Sequence, residues 1–172
     1  MNNIELNLEN LIYVNLYCEA PIDLDLTLFY QTKNNQSNGV FSMEYTEKKE
    51  SQGCLEHFPY IKYMHDYDFN CHEQIIISSL QDMKSIYICA IDYSSAINGE
   101  GTDFSSLGGR LDFVTNNKLV HSIHMDNYKT GVVYLFCRIV LNEGRFWLEE
   151  INDVLSLEEA YNNIPGFSEI CN

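Results

Sequence analysis

Basic side chains are scarce in this chain: 10 Lys and Arg stand against 25 Asp and Glu in 172 residues, leaving a formal net charge of -15. Binding to a phosphate backbone depends on Lys and Arg displacing condensed counterions, so this balance argues against nucleic acid and anionic membranes as partners. An unbroken apolar stretch long enough to cross a bilayer is also missing, and Met1 to Glu5 has neither the cationic start nor the apolar run of a signal peptide. Neither membrane insertion nor secretion by the usual route is expected. No C-x-x-C pair occurs among Cys18, Cys54, Cys71, Cys89, Cys137 and Cys171. Cys89 and Cys137 sit inside apolar runs, where a free thiol acts as a small hydrophobe. Reduced thiols and a cytoplasmic location follow as expectations. Repeats, low-complexity tracts and linkers rich in Pro or Ser are absent too, so residues 1–172 read as one domain with one core.

What is abundant is aromatic: twelve Tyr and nine Phe suit the half-buried faces of pleated sheets. Strand patterns recur over Leu11 to Tyr17, Leu24 to Gln31, Val40 to Tyr45, Gln74 to Ser78, Ser85 to Tyr93, Arg110 to Thr115, Leu119 to Met125, Val132 to Leu141 and Arg145 to Ile151. Turn chemistry separates several of them. Asn38-Gly39 has the positive-φ preference of a tight turn, Asn116-Asn117 suits a two-residue hairpin, and Asn142-Glu143-Gly144 suits a three-residue loop. About nine strands linked by hairpins imply an all-β fold, an antiparallel β-sandwich of two packed sheets. Ser156-Leu-Glu-Glu159 forms a capping box that predicts a short C-terminal helix stopped by Pro165 and Gly166. Leu80 to Lys84 leaves room for one helical turn, and the least regular stretches are Lys48 to Asn70 and Ser94 to Gly109.

Catalytic motifs are lacking. There is no Gly-x-Ser-x-Gly elbow, and the Gly-containing stretch Asn98 to Asp103 has neither the Gly-Lys-Ser/Thr nor the helix of a phosphate cradle, although Glu100 or Asp103 could be lent to a cation. His72-Glu73 opens like a zincin motif, but Ile76 occupies the second ligand position. His57, His65, Cys71 and His72 crowd one region without the tight ligand spacing of a zinc site. His121 and His124 are three apart in a strand, so they leave opposite faces. Oxygen donors are better organised. Asp23-Leu-Asp25-Leu alternates acid and apolar, which puts both carboxylates on one face while Leu24 and Leu26 enter the core. Asp66-Tyr-Asp68, followed by Asn70 and Glu73, is a second oxygen-rich stretch of the kind calcium uses.

Asp23-Leu-Asp-Leu-Thr-Leu-Phe29 resembles the Asp-Leu-Asp-Leu-Ser start of the tellurium-resistance TerD family. Further segments keep the family's order. Glu73-Gln-Ile-Ile-Ile77 resembles its acidic Glu-Gln-Ile segment, and Phe104 to Val114 is similar to its Phe-Gly-Gln-Val and following strand. Thr130 to Phe136, then Asn142-Glu-Gly-Arg-Phe-Trp147, resembles its Thr-Ala-Met-Val-Phe-Gly-Glu strand and Asn-Gly-Glu-Trp hairpin. The resemblance covers Ala20 to Ile151. It implies a β-sandwich without catalytic chemistry that binds calcium through clustered aspartates at one end and serves in bacterial stress response, including tellurite resistance, alongside other proteins. Asp23 and Asp25 match the family's first acidic pair, and Glu73 matches the last acid of its second segment.

The chain departs from the family where calcium would sit. In place of Gly-Asp-Asn and a Gly-rich Asp-Asp-Glu loop it has Phe58-Pro-Tyr60 and His65 to Glu73, with no glycine between Gly53 and Gly99. A loop without glycine wraps its carbonyls around an ion at a Cβ cost. Asp66 and Asp68 are the replacement acids, so the expected calcium set is Asp23, Asp25, Asp66, Asp68 and Glu73. Two alternatives stay open once calcium binding is lost: a sandwich that binds carbohydrate through Tyr60, Tyr63 and Tyr67, or a pure protein-interaction module.

Overall fold

The computed structural model of the chain describes residues 3–65 and 73–171. In its first half the strands are β1 (Asn3–Glu5), β2 (Ile12–Tyr17), β3 (Asp25–Thr32), β4 (Ser37–Val40), β5 (Gly53–Cys54), β6 (Ile61–His65) and β7 (Glu73–Ile77). The second half supplies β8 (Met83–Ile91), helix α1 (Tyr93–Asn98), β9 (Thr102–Asp103), β10 (Arg110–Thr115), β11 (Lys118–His124), β12 (Thr130–Gly131), β13 (Val133–Asn142), β14 (Arg145–Leu155) and helix α2 (Leu157–Asn163). Two six-stranded sheets form, in the orders β1-β14-β13-β8-β3-β4 and β11-β10-β2-β7-β6-β5, with β12-β9 as a small third ribbon. Neighbours pair antiparallel throughout. The expected all-β sandwich is the observed fold.

Period-two alternation explains the core. Leu26, Leu28 and Tyr30 of β3 face Val14 and Leu16 of β2, Ile75 and Ile77 of β7, and Phe113 of β10 in one apolar cluster between the sheets. The central strands of the first sheet are also buried on their other face. Phe29, Cys89, Val133 and Leu135 pack there against Ala160, Ile164 and Phe167 from the C-terminal segment. The Phe29 and Phe167 rings stand 5.1 Å apart. Strands covered on both faces read as continuous apolar runs, which is why β3, β8 and β13 stand out in the sequence. Cys89 and Cys137 are fully buried and free, as small hydrophobes should be.

The predicted helix is present with its capping box: Glu159 N–H donates to Ser156 Oγ at 3.1 Å, and Ser156 N–H donates to Glu159 Oε2 at 2.8 Å. Asn116 and Asn117 take positive φ and close the β10–β11 hairpin as expected. Four expectations are corrected. Asn38-Gly39 is not a turn; it lies inside β4, and the chain turns at Asn35, where Thr32 N–H reaches Gln36 C=O at 2.8 Å. Gly39 serves close packing instead, since a Cβ there would stand 2.7 Å from the Phe41 ring. The β13–β14 loop has two residues, Glu143 and Gly144, because Asn142 still pairs with Arg145. Leu80 to Lys84 holds a turn closed by Met83 N–H on Leu80 C=O, not a helical turn. Val40 to Tyr45 is not a strand; after β4 the chain folds into a 3₁₀ turn, Met43–Tyr45, capped by Ser42 Oγ on the Glu44 N–H. Helix α1 and strands β1, β5, β6, β9 and β12 went unpredicted, the first because Asp92 caps it within a stretch that lacks apolar periodicity.

Candidate functional site

One end of the sandwich collects acids from both sheets. Asp23 is exposed just ahead of β3, Leu24 and Leu26 are wholly buried, and Asp25 is buried at the start of the strand. Burial is the main force that raises the Asp25 carboxyl to about 6; Asp23 and Glu44 push the same way, while the Tyr45 hydrogen bond and His65 oppose them. Tyr45 donates its hydroxyl to Asp25 Oδ2 at 2.5 Å. The 3₁₀ turn Met43–Tyr45 makes this contact by swinging Tyr45 over the strand end and leaving Glu44 at the mouth. Asp25, Glu44, Tyr45 and Tyr93 enclose a cavity of about 20 Å³, room for one water-sized occupant.

Glu73 approaches from β7 in the opposite sheet and is also buried. Strand β4 pairs with β3 only from Leu28 to Gln31, so the Leu26 N–H lies beyond its end and is taken by Glu73 Oε2. Tyr63 of β6 donates its hydroxyl to Glu73 Oε1 at 2.7 Å and lies 3.2 Å from His65 Nδ1. Burial is again the largest influence on the Glu73 carboxyl, raising it to about 8; Asp25 and Asp23 add to the rise, and the bonds from Leu26 and Tyr63 moderate it. Both Tyr63 and Tyr45 hydroxyls are pushed well above the ordinary phenol range by burial and by the adjoining carboxylates, so they act as neutral donors. Protonation would reverse the chain: Glu73 Oε1–H can donate to Tyr63, freeing the Tyr63 hydroxyl for His65 Nδ1.

The structure therefore places Asp23, Asp25 and Glu73 at one edge. Asp66 and Asp68 lie outside the described residues, as do Cys71 and His72. The donor chemistry is hard oxygen, suited to calcium rather than zinc. Among the described residues, however, no three acids, histidines or cysteines converge as a metal-holding group. Glu73 has both oxygens engaged and Asp25 one, so these residues do not complete a calcium site by themselves. Tyr45 and Glu44 were missed from sequence and Tyr63 was read as an exposed aromatic, because only the pairing of distant strands places them here; the Ser42-x-Glu44 start of a capped turn was the one local cue.

Other candidates find structural places. Asp103 caps the 3₁₀ turn Phe104–Ser106, and Glu100 is exposed after α1. Asp92, 2% exposed, holds Thr102 Oγ1 at 2.6 Å and Ser95 N–H at 3.1 Å. His121 turns toward Glu150 on the other sheet while His124 is exposed, so the pair does leave opposite faces. Tyr63 is 2% exposed and committed to Glu73, which removes it from any exposed aromatic platform. Tyr67 lies outside the described residues.

No protein-family model matches this sequence, and no curated protein matches it either. Solved structures do match in shape. A homologue of telluride resistance protein (TerD), SCO6318 from Streptomyces coelicolor A3(2), superposes with a TM-score of 0.53 at 7% identity, covering 86% of this chain and 90% of that one. A protein of unknown function, SAV2460, gives a TM-score of 0.57 at 8% identity, covering 85% of this chain and 92% of its own. The fold is TerD-like, and the sequence shares little identity with either structure.

Proposed function

We propose that this chain is a non-catalytic, TerD-like interaction module whose acidic end takes up a divalent cation, calcium by its donor chemistry. The observation that carries the reading is the burial of Asp25 and Glu73, contributed by opposite sheets, beside the exposed Asp23. Like charges held together out of water are costly, and a cation is the simplest relief. Asp23, Asp25 and Glu73 would hold the ion, with Asp66 and Asp68 completing the set. A bound cation would tie β3 to β7 and stiffen the neighbouring loops, giving a partner from the stress-response machinery a fixed surface. Selective binding to the folded state must raise stability. Thermal unfolding in chelator and in millimolar calcium is the test: a higher midpoint in calcium, abolished in Asp25→Asn, is expected, and equal midpoints dismiss the ion.

A second reading is favoured by the hydrogen bonds already made. Leu26 N–H and the Tyr63 and Tyr45 hydroxyls satisfy the two buried carboxyls without a metal, so the acidic end can serve as a plain structural network in an interaction domain that has lost calcium. That version predicts no calcium response and a partner retained in pull-downs by the Asp25→Asn variant.

A further inference from the structure

A second site opens on the same strand, five residues from Asp25 and about 17 Å along it at ordinary strand rise. The edge of β4, the segment after the 3₁₀ turn and the C-terminal turn enclose a cleft of about 280 Å³, walled by Tyr30, Phe41, Lys48, Glu50, Pro59 and Glu169. Tyr30 is 4% exposed and Phe41 1%, so the aromatic part of the wall is fixed in the core. Phe58 holds the Tyr30 ring edge-on, with centroids 5.8 Å apart. The Tyr30 hydroxyl makes no hydrogen bond among the described residues, although buried hydroxyls nearly always find a partner. It lies near the Glu169 carboxylate; burial first and Glu169 second raise the phenol to about 12, which keeps it neutral. Neither Glu50 nor Glu169 forms an ion pair among the described residues, and exposed Lys48 pairs with neither of them.

Two carboxylates without an ion pair and a phenol oxygen without a hydrogen bond, all lining one cleft, together specify a ligand. Two acids in a field of net charge -15 repel anions. The volume suits a small organic molecule better than a bare metal ion, and the carboxylates favour a cation. We propose that the cleft binds a small primary alkylammonium, its N–H groups donating to Tyr30 Oη and to the Glu50 and Glu169 carboxylates while its carbon stem lies against the half-exposed Pro59.

The test is a titration of the full-length chain with n-butylammonium chloride, followed by amide chemical shifts, with n-butanol as the uncharged match and sodium chloride holding ionic strength constant. Saturable shifts at Gly39, Ser51 and Glu169 are expected for the amine and not for the alcohol. Glu50→Gln combined with Glu169→Gln should weaken binding at least tenfold, and Tyr30→Phe severalfold. Glu143→Gln, in a hairpin turn elsewhere, should leave the affinity unchanged. Glu50 is exposed and Glu169 half-exposed, so the double variant keeps the fold, and its remaining resonances report that directly. Drift spread evenly over the acidic surface without saturation, equal binding of butanol, or unchanged affinity in the double variant would each overturn the assignment.

Discussion

At Asp25 and Glu73 the folded chain holds protons more tightly than the unfolded chain does. Their carboxyls rise from 3.8 to about 6 and from 4.5 to about 8. A raised carboxyl contributes stability fully below its unfolded value and loses it as the pH climbs to the folded one. Without a cation, the unfolding midpoint should therefore fall between pH 4 and pH 8, first through Asp25 and then through Glu73. Glu73→Gln should flatten the upper half of that decline, which urea titrations at pH 5 and pH 8 would measure; an unchanged slope would count against Glu73 as the titrating group. Calcium must displace these protons to bind, so its stabilising effect should be larger at pH 8 than at pH 5. The sequence exposed Asp23 and Asp25 because strand periodicity is local. Glu73 came through its oxygen-rich stretch and the family resemblance, while the roles of Tyr45 and Tyr63 stayed hidden because nothing near them in the chain says which carboxylate they will meet.

Elements were legible wherever a local pattern decided them. The capping box at Ser156 and Glu159 needs only four residues, and removing it with Ser156→Ala should cost about 1 kcal/mol, read from the urea midpoint. Turns were harder. Asn38-Gly39 carries turn chemistry, yet its glycine answers to the Phe29 and Phe41 rings, which are brought there by tertiary packing. At the β13–β14 turn Glu143 takes φ 51, a conformation asparagine adopts with less strain. Glu143→Asn should raise stability by up to about 1 kcal/mol in the same measurement, and a loss would show that the carboxylate has a role there. Strand Val40 to Tyr45 was misread because alternation continues past the last ladder pair, Leu28 with Val40, where hydrogen bonding stops and the 3₁₀ turn takes over.

For the molecule as a whole, net charge sets the response to solvent. Fifteen excess negative charges repel one another across a small sandwich, and salt screens that repulsion over about 10 Å at 0.1 M. Raising sodium chloride from 10 to 200 mM should lift the melting midpoint; a fall would mean that ion pairs such as Arg138–Glu149 outweigh the repulsion. The all-β architecture was readable because strand count and hairpin spacing are sums of local signals. That the first sheet would be roofed by the C-terminal segment was not, since its apolar outer face looks in sequence like more core. This roof has a consequence during synthesis. Phe29 and Phe41 leave the ribosome more than a hundred residues before Ile164 and Phe167, so a nascent chain must carry a greasy, unsealed sheet until that covering segment has emerged. Premature termination shortly before Ser156 would release that surface permanently uncovered, a natural substrate for chaperones or for self-association.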